Sequence, residues 1–135
     1  MIWGYVMGFR NPGIPAGETS RVVFNLNGVD TNYAPERLTL GAAGPGLYPR
    51  GFMGVTALVE SLVTGATIEL WLPRVANDPN LPASSFGDAD YFNSGLTPLT
   101  TAGAANWSLA GWPGAQIRVK SSTTAGAMSV SASAF

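Results

Sequence analysis

Ala115-Gln116-Ile117-Arg118-Val119-Lys120-Ser121 is the clearest strand in this chain. Ile117 and Val119 alternate with Arg118 and Lys120, the period of two that sends successive side chains to opposite faces of a sheet. Ile117 and Val119 therefore face a core, and Arg118 and Lys120 face outward. Ala125-Gly126 marks a turn. Met128-Ser129-Val130-Ser131-Ala132-Ser133 then alternates again, with Met128, Val130 and Ala132 inward. The spacing predicts an antiparallel hairpin of these last two strands.

The same pattern extends toward the N-terminus. In Thr67-Ile68-Glu69-Leu70-Trp71-Leu72, Ile68, Leu70 and Leu72 point to the core, and Thr67, Glu69 and Trp71 point away. Phe52 to Leu62 is the longest apolar stretch, and a turn near Thr64-Gly65 joins the two as a second expected hairpin. A short helix over Thr56 to Val63 competes, but its β-branched residues and missing cap argue against it. Arg21 to Asn27 places Val22, Phe24 and Leu26 on one face and ends at Gly28 and Asp30. Glu36 to Leu40 alternates too. Tyr91-Phe92 reads as a short edge, Leu96 to Thr101 as a strand interrupted at Pro98, and Trp107 to Leu109 as a brief strand. Gly41 to Gly46 and Pro73 to Pro82 read as loops. The class is all-β: one domain over residues 1–135, a β-sandwich or jelly roll of about seven or eight short antiparallel strands. Residues 1–15 carry Trp3, Tyr5, Met7 and Phe9 at alternate positions. They form either an extended arm that adds a strand to a neighbouring subunit or the first strand of the sandwich.

Composition narrows the function. The 135 residues include no Cys, no His and one lysine, Lys120. Thiol chemistry, Ser-His-Asp triads, and zinc or copper sites of the usual ligand types are excluded. Net charge is −1 and the seven basic residues are scattered, which speaks against nucleic acid and anionic membranes as partners. The apolar N-terminus lacks a basic lead and is soon broken by Pro12 and Pro15, so it reads as neither signal peptide nor membrane span. Only 11% of residues are charged, where a soluble monomer has roughly a quarter. Such a surface is poorly protected against association unless a partner covers it, so the chain reads as an obligate oligomer or part of an assembly.

Few residues suggest chemistry. Asp88-Ala89-Asp90-Tyr91-Phe92-Asn93-Ser94-Gly95 has the look of a calcium loop but breaks the EF-hand pattern at its fifth, sixth and twelfth positions, and an Asx-turn loop explains it. Glu60, Glu69, Asp88 and Asp90 are the candidates for the carboxylate pair of a glycoside hydrolase, and Glu60 and Glu69 flank the second expected hairpin, but solvent-facing strand carboxylates are the better explanation. Asn106-Trp107-Ser108 is a glycosylation triplet that chance supplies about once in such a composition. No cofactor motif and no metal-ligand cluster is present. The aromatics Trp3, Tyr5, Phe9, Trp71, Trp107 and Trp112 are the candidate partner-binding residues, because exposed aromatics anchor interfaces and stack on sugars. Burial between sheets or subunits is the competing explanation.

From Gly65 onward the chain resembles a known group. Gly65 to Leu72, Asp90-Tyr91-Phe92-Asn93, Ala105-Asn106-Trp107, Gly111-Trp112-Pro113-Gly114 running into Ala115 to Ser121, and Ser129 to Ser133 look like the small virion proteins of tailed bacteriophages. Those are the decoration or cement proteins of icosahedral heads. The resemblance implies a non-enzymatic subunit, commonly a homotrimer, made in the host cytoplasm and bound to the major capsid protein on the capsid surface. It implies no catalytic residue and no cofactor, and it makes residues 1–15 the place to look for an arm on the shell. This chain carries less charge than many such proteins, which keeps a tail or vertex location open. The rival readings are a carbohydrate-binding β-sandwich that uses Trp71 with Trp107 or Trp112, and a small hydrolase that uses Glu60 and Glu69.

Overall fold

The structure is a computed structural model that describes residues 19–40, 51–74, 87–113 and 115–134. Eight strands carry it: β1 (Thr19–Asn27), β2 (Leu38–Leu40), β3 (Gly51–Val59), β4 (Thr67–Pro73), β5 (Tyr91–Asn93), β6 (Gly103–Pro113), β7 (Ala115–Lys120) and β8 (Ala125–Ala134). They form two four-stranded antiparallel sheets, ordered β1-β8-β3-β6 and β2-β7-β4-β5. The pairs β1–β8, β2–β7, β3–β6 and β4–β5 nest inside one another, as in one long hairpin folded about the β4–β5 connection. Rolling that hairpin adds the β3–β8 and β4–β7 ladders. This is the jelly-roll arrangement of a β-sandwich. No helix among the described residues is long and apolar enough to cross a membrane.

The core lies between the sheets and is filled by the alternating positions. Phe24, Leu26, Val55, Ala57, Val59, Trp107, Met128, Val130 and Ala132 come from one sheet, and Leu38, Leu40, Ile68, Leu70, Leu72, Ala115, Ile117 and Val119 from the other. The face assignments of Phe24, Leu26, Ile68, Leu70, Leu72, Ile117, Val119, Met128, Val130 and Ala132 all hold. Thr56 to Val63 is strand and turn, so the competing helix does not form.

Both expected hairpins are corrected. β7 belongs to one sheet and β8 to the other, and β3 and β4 are likewise divided. The connections are arches that cross the sandwich. Alternation fixes which side chains face the core but not which sheet a strand joins, and a short turn serves either purpose. The two arches meet: Ser122 Oγ donates to the Thr64 carbonyl at 2.6 Å. Gly65, at φ +81°, lies so close that a Cβ there would sit 2.5 Å from Ser122 Oγ. A side chain is therefore excluded by both conformation and space.

Two further differences concern strand length. β6 runs eleven residues rather than three, because its ladder with β3 outweighs the weak strand preference of Gly103, Ala104 and Ala105. Leu96 to Thr101 contributes only one bridge, where Leu99 exchanges two 2.9 Å hydrogen bonds with Ile68 on the outer margin of β4. Pro98 lacks the amide that a longer ladder would need. Tyr91-Phe92 does form the expected edge, as β5.

Phe24 has no exposed surface and is among the largest fully buried side chains of the core. Phe24→Ala is expected to lower stability by about 3–5 kcal/mol through lost burial and the cavity left behind, read as a lower urea midpoint at unchanged slope.

Candidate functional site

The outer face of the β2-β7-β4-β5 sheet carries an organised polar cluster. β4 and β7 are neighbours, with Glu69 opposite Arg118 and Trp71 opposite Gln116. Each strand has one face in the core, so these four side chains share the other. Residues 31–34 fold over them. Thr31 adopts φ +70°, Ala34 N–H donates to the Val119 carbonyl at 2.9 Å, and Tyr33 bridges to Lys120. Tyr33 thereby lies across the sheet.

Glu69 is the hub and is only 7% exposed. Its Oε1 accepts from Tyr33 Oη at 2.7 Å, Trp71 Nε1 at 3.1 Å and Asn93 Nδ2 at 3.1 Å. Its Oε2 lies 3.6 Å from Lys120 Nζ. Removal of this acceptor strands three donors.

Arg118 is the counterpart, 6% exposed. Its guanidinium lies 4.1 Å from the centroid of the Trp71 ring and 5.7 Å from that of Tyr91. Nε donates to Gln116 Oε1 at 2.7 Å, and Nη2 donates to the Asp88 carbonyl at 2.9 Å. Gln116 Nε2 passes the chain on to Thr39 Oγ1 at 3.0 Å. The exposed Asp88 carboxylate stands 3.7 Å from Arg118 and 3.3 Å from Arg37 Nε, the latter an ion pair without hydrogen-bond geometry. Desolvation by burial, followed by the nearby Arg37 charge, pulls the Arg118 pKa below its usual value.

Each candidate residue can now be placed. Trp71 is half-buried on the outer face, with Arg118 over its ring and Tyr33 against it edge-on, centroids 5.7 Å apart. Trp107 is corrected: it is 5% exposed, sits in the core opposite Val55, and donates Nε1–H to the Thr97 carbonyl at 2.8 Å. Trp112 is in β6 opposite Phe52, and its side chain lies outside the described residues. Trp3, Tyr5 and Phe9 also lie outside them. Trp71 and Trp107 therefore share no platform. Stacking on Trp71 would compete with Arg118 for the ring.

Glu60 and Glu69 are separated as well. Glu60 is exposed beside Arg21, Leu58 and Ser129 on the outer side of the other sheet, so no hydrolytic pair forms. Asp88–Asp90 is a 3₁₀ turn in which Asp90 Oδ2 accepts from Gly87 N–H at 2.8 Å, and Asn93 Oδ1 accepts from Gly95 N–H at 2.9 Å. The segment is a turn held by its own side chains. Among the described residues no group of three or more potential ligands could hold a metal ion.

Sequence reasoning missed Tyr33, Asn93 and Gln116. Parity placed Glu69, Trp71, Arg118 and Lys120 on outward faces, but only the β4–β7 register makes them one cluster. No protein-family model matches the chain, and comparison with curated proteins and solved structures finds no significant match. What the fold defines is a jelly-roll sandwich whose one outer face is closed by its own polar side chains.

Burial, then the bond to Glu69, raises the Tyr33 pKa to about 12, and burial raises that of Tyr91 to about 12. A phenol whose folded value lies above its unfolded value near 10 stabilises the fold below that pH, and the contribution is lost as pH climbs through the folded value. Denaturation midpoints are expected to hold up to about pH 10 and fall between about 10 and 12. Glu69→Gln removes a neighbouring charge and should move the Tyr33 titration downward, read by ultraviolet absorption of the phenolate.

Proposed function

We propose that this chain is a non-enzymatic virion structural protein, a capsid decoration or cement protein that binds the outside of a phage head as an oligomer and joins major capsid subunits. The observation that carries the reading is the contrast between the two outer faces. On one, Glu69 is paired with Lys120, and Glu69 and Arg118 are each tied to aromatic neighbours. On the other, the β1-β8-β3-β6 sheet presents Thr56, Ala104, Asn106, Ala127, Ser129, Ser131 and Ser133 in adjoining rows. Val23 and Leu58 stand exposed among these small side chains, 48% and 44% accessible. Arg21 and Glu60 flank a shallow depression of about 290 Å³ there. A flat face of small residues with a few apolar points suits close contact with another protein better than chemistry.

The jelly roll recurs in viral shells and in lectins, so the fold alone does not choose between them. The burial of Trp107 and the cover on Trp71 weaken the sugar-binding alternative. The resemblance of the strand pattern to phage decoration proteins favours the first. Mechanically, packing DNA loads the joints between shell subunits. An oligomer that spans several joints is held by several contacts at once, so modest affinity at each becomes slow release overall.

Quantitative mass spectrometry of washed virions that carry this gene tests the proposal. One copy per major capsid subunit, or one per few, is the expected result. A handful per particle would move the protein to a vertex or the tail, and absence from the particle would overturn a virion role.

A further inference from the structure

We propose that the free edge of β1 is a self-association site, where two copies join antiparallel through Arg21 and Val23 to make one continuous sheet across a two-fold axis. The inference does not rest on a virion role.

The ladder itself shows the open edge. In an antiparallel pair, residues alternate between bonding to the partner strand and pointing their amide and carbonyl the other way. Asn25 N–H donates to Glu36 Oε1 at 2.9 Å, so Asn25 points away from β8. By alternation Thr19, Arg21 and Val23 point away as well, while Ser20, Val22, Phe24 and Leu26 bond to β8. Among the described residues nothing pairs with the outward backbone of Arg21 or Val23. The other margins differ: β2 and β5 are three residues each, and residues 105–108 of β6 share a depression with Leu96 to Leu99, with Trp107 Nε1 bonded to Thr97.

Glu36 sets where a partner strand must stop. Its Oε2 accepts from Asn25 Nδ2 at 2.7 Å while Oε1 holds the Asn25 amide, so the carboxylate occupies the edge from Asn25 onward. Burial pushes the Glu36 carboxyl up, but these bonds outweigh it and hold its pKa below the ordinary value. An open edge of three outward residues, Thr19, Arg21 and Val23, suits a partner with the same short edge.

The register follows from charge. Arg21 opposite Arg21 of a second copy sets like charges side by side, which is unfavourable. Val23 opposite Val23 sets Arg21 against the Asn25 amide that Glu36 already holds. Arg21 opposite Val23 avoids the first obstacle and leaves only Thr19, the first residue of β1, against Asn25, so the paired segment ends there, and the two-fold axis repeats the Arg21–Val23 pair. It also covers Val23, one of the most exposed large apolar side chains among the described residues. With 11% charged residues, little long-range repulsion opposes a second copy.

Light scattering on the purified full-length chain, over a range of concentrations, reads the association. A concentration-dependent dimer is expected. Val23→Lys leaves the backbone intact but faces Arg21 with a like charge, and should weaken the dimer at least about tenfold at low salt. Val23→Glu faces Arg21 with an opposite charge and should strengthen it. Val23→Pro removes only an outward amide and should give a folded monomer by circular dichroism. A wild-type chain that stays monomeric, or forms the trimer that the phage resemblance implies, overturns the proposal. So does a dimer that ignores the sign of the charge at position 23.

Discussion

β7 is buried on both faces, and much of the molecule answers to that constraint. Ile117 and Val119 go into the sandwich, so Gln116 and Arg118 must go to the other side, where they too are buried. A guanidinium removed from water has to find partners, because an unpaired buried charge costs several kcal/mol. Trp71 and Tyr91 supply ring faces, Gln116 supplies an oxygen, and the Asp88 turn supplies a carbonyl. The Asp88 carboxylate stands 3.7 Å from the guanidinium, and Glu69, directly opposite on β4, collects Tyr33, Asn93 and Lys120. The segment before β2, the 3₁₀ turn and β5 are thereby fastened to the sheet from outside. A well-packed apolar replacement of such a cluster can match its stability. Loss of one member cannot be tolerated in the same way, because the others remain buried.

Much of this architecture was readable from alternation. The strands around Phe24, Ile68, Ile117 and Val130 declared themselves, and so did their inward faces. What alternation could not convey was pairing. The β7–β8 and β3–β4 connections look like hairpin turns because a few Ser, Thr and Gly residues suffice for either a hairpin or an arch. Only the competition among all strands for neighbours decides between them, and that competition is a property of the whole chain. The same holds for the Glu69–Arg118 cluster. Each residue was correctly sent outward, yet the cluster exists because β4 and β7, about 50 positions apart along the chain, lie in one register. Trp107 illustrates the point in a single side chain: polar Asn106 and Ser108 on either side are compatible with an inward Trp, but only the pairing with Val55 on β3 fixes which of burial and exposure it adopts.

The shortage of charge now has a structural expression. Of the ionisable groups described, several are engaged internally on one face, and the opposite face keeps small, weakly polar residues. A face of that kind strands few charges when another protein lies flush against it. The two sheets thus divide the labour: one is sealed by its own side chains, and the other is left smooth.

The nesting of the strands bears on how the protein is made. Thr19 pairs with Ser133, so β1 lies against a strand that follows it by more than a hundred positions. During synthesis β1 emerges long before β8 exists, and the inner pair β4–β5 can close well before the outer pair β1–β8. Folding is therefore deferred, and contacts so distant in sequence form slowly. While β1 waits, both of its margins are bare, one awaiting β8 and the other partly guarded by Glu36. The carboxylate that trims one margin in the finished sheet would equally shorten the exposed template in the nascent chain.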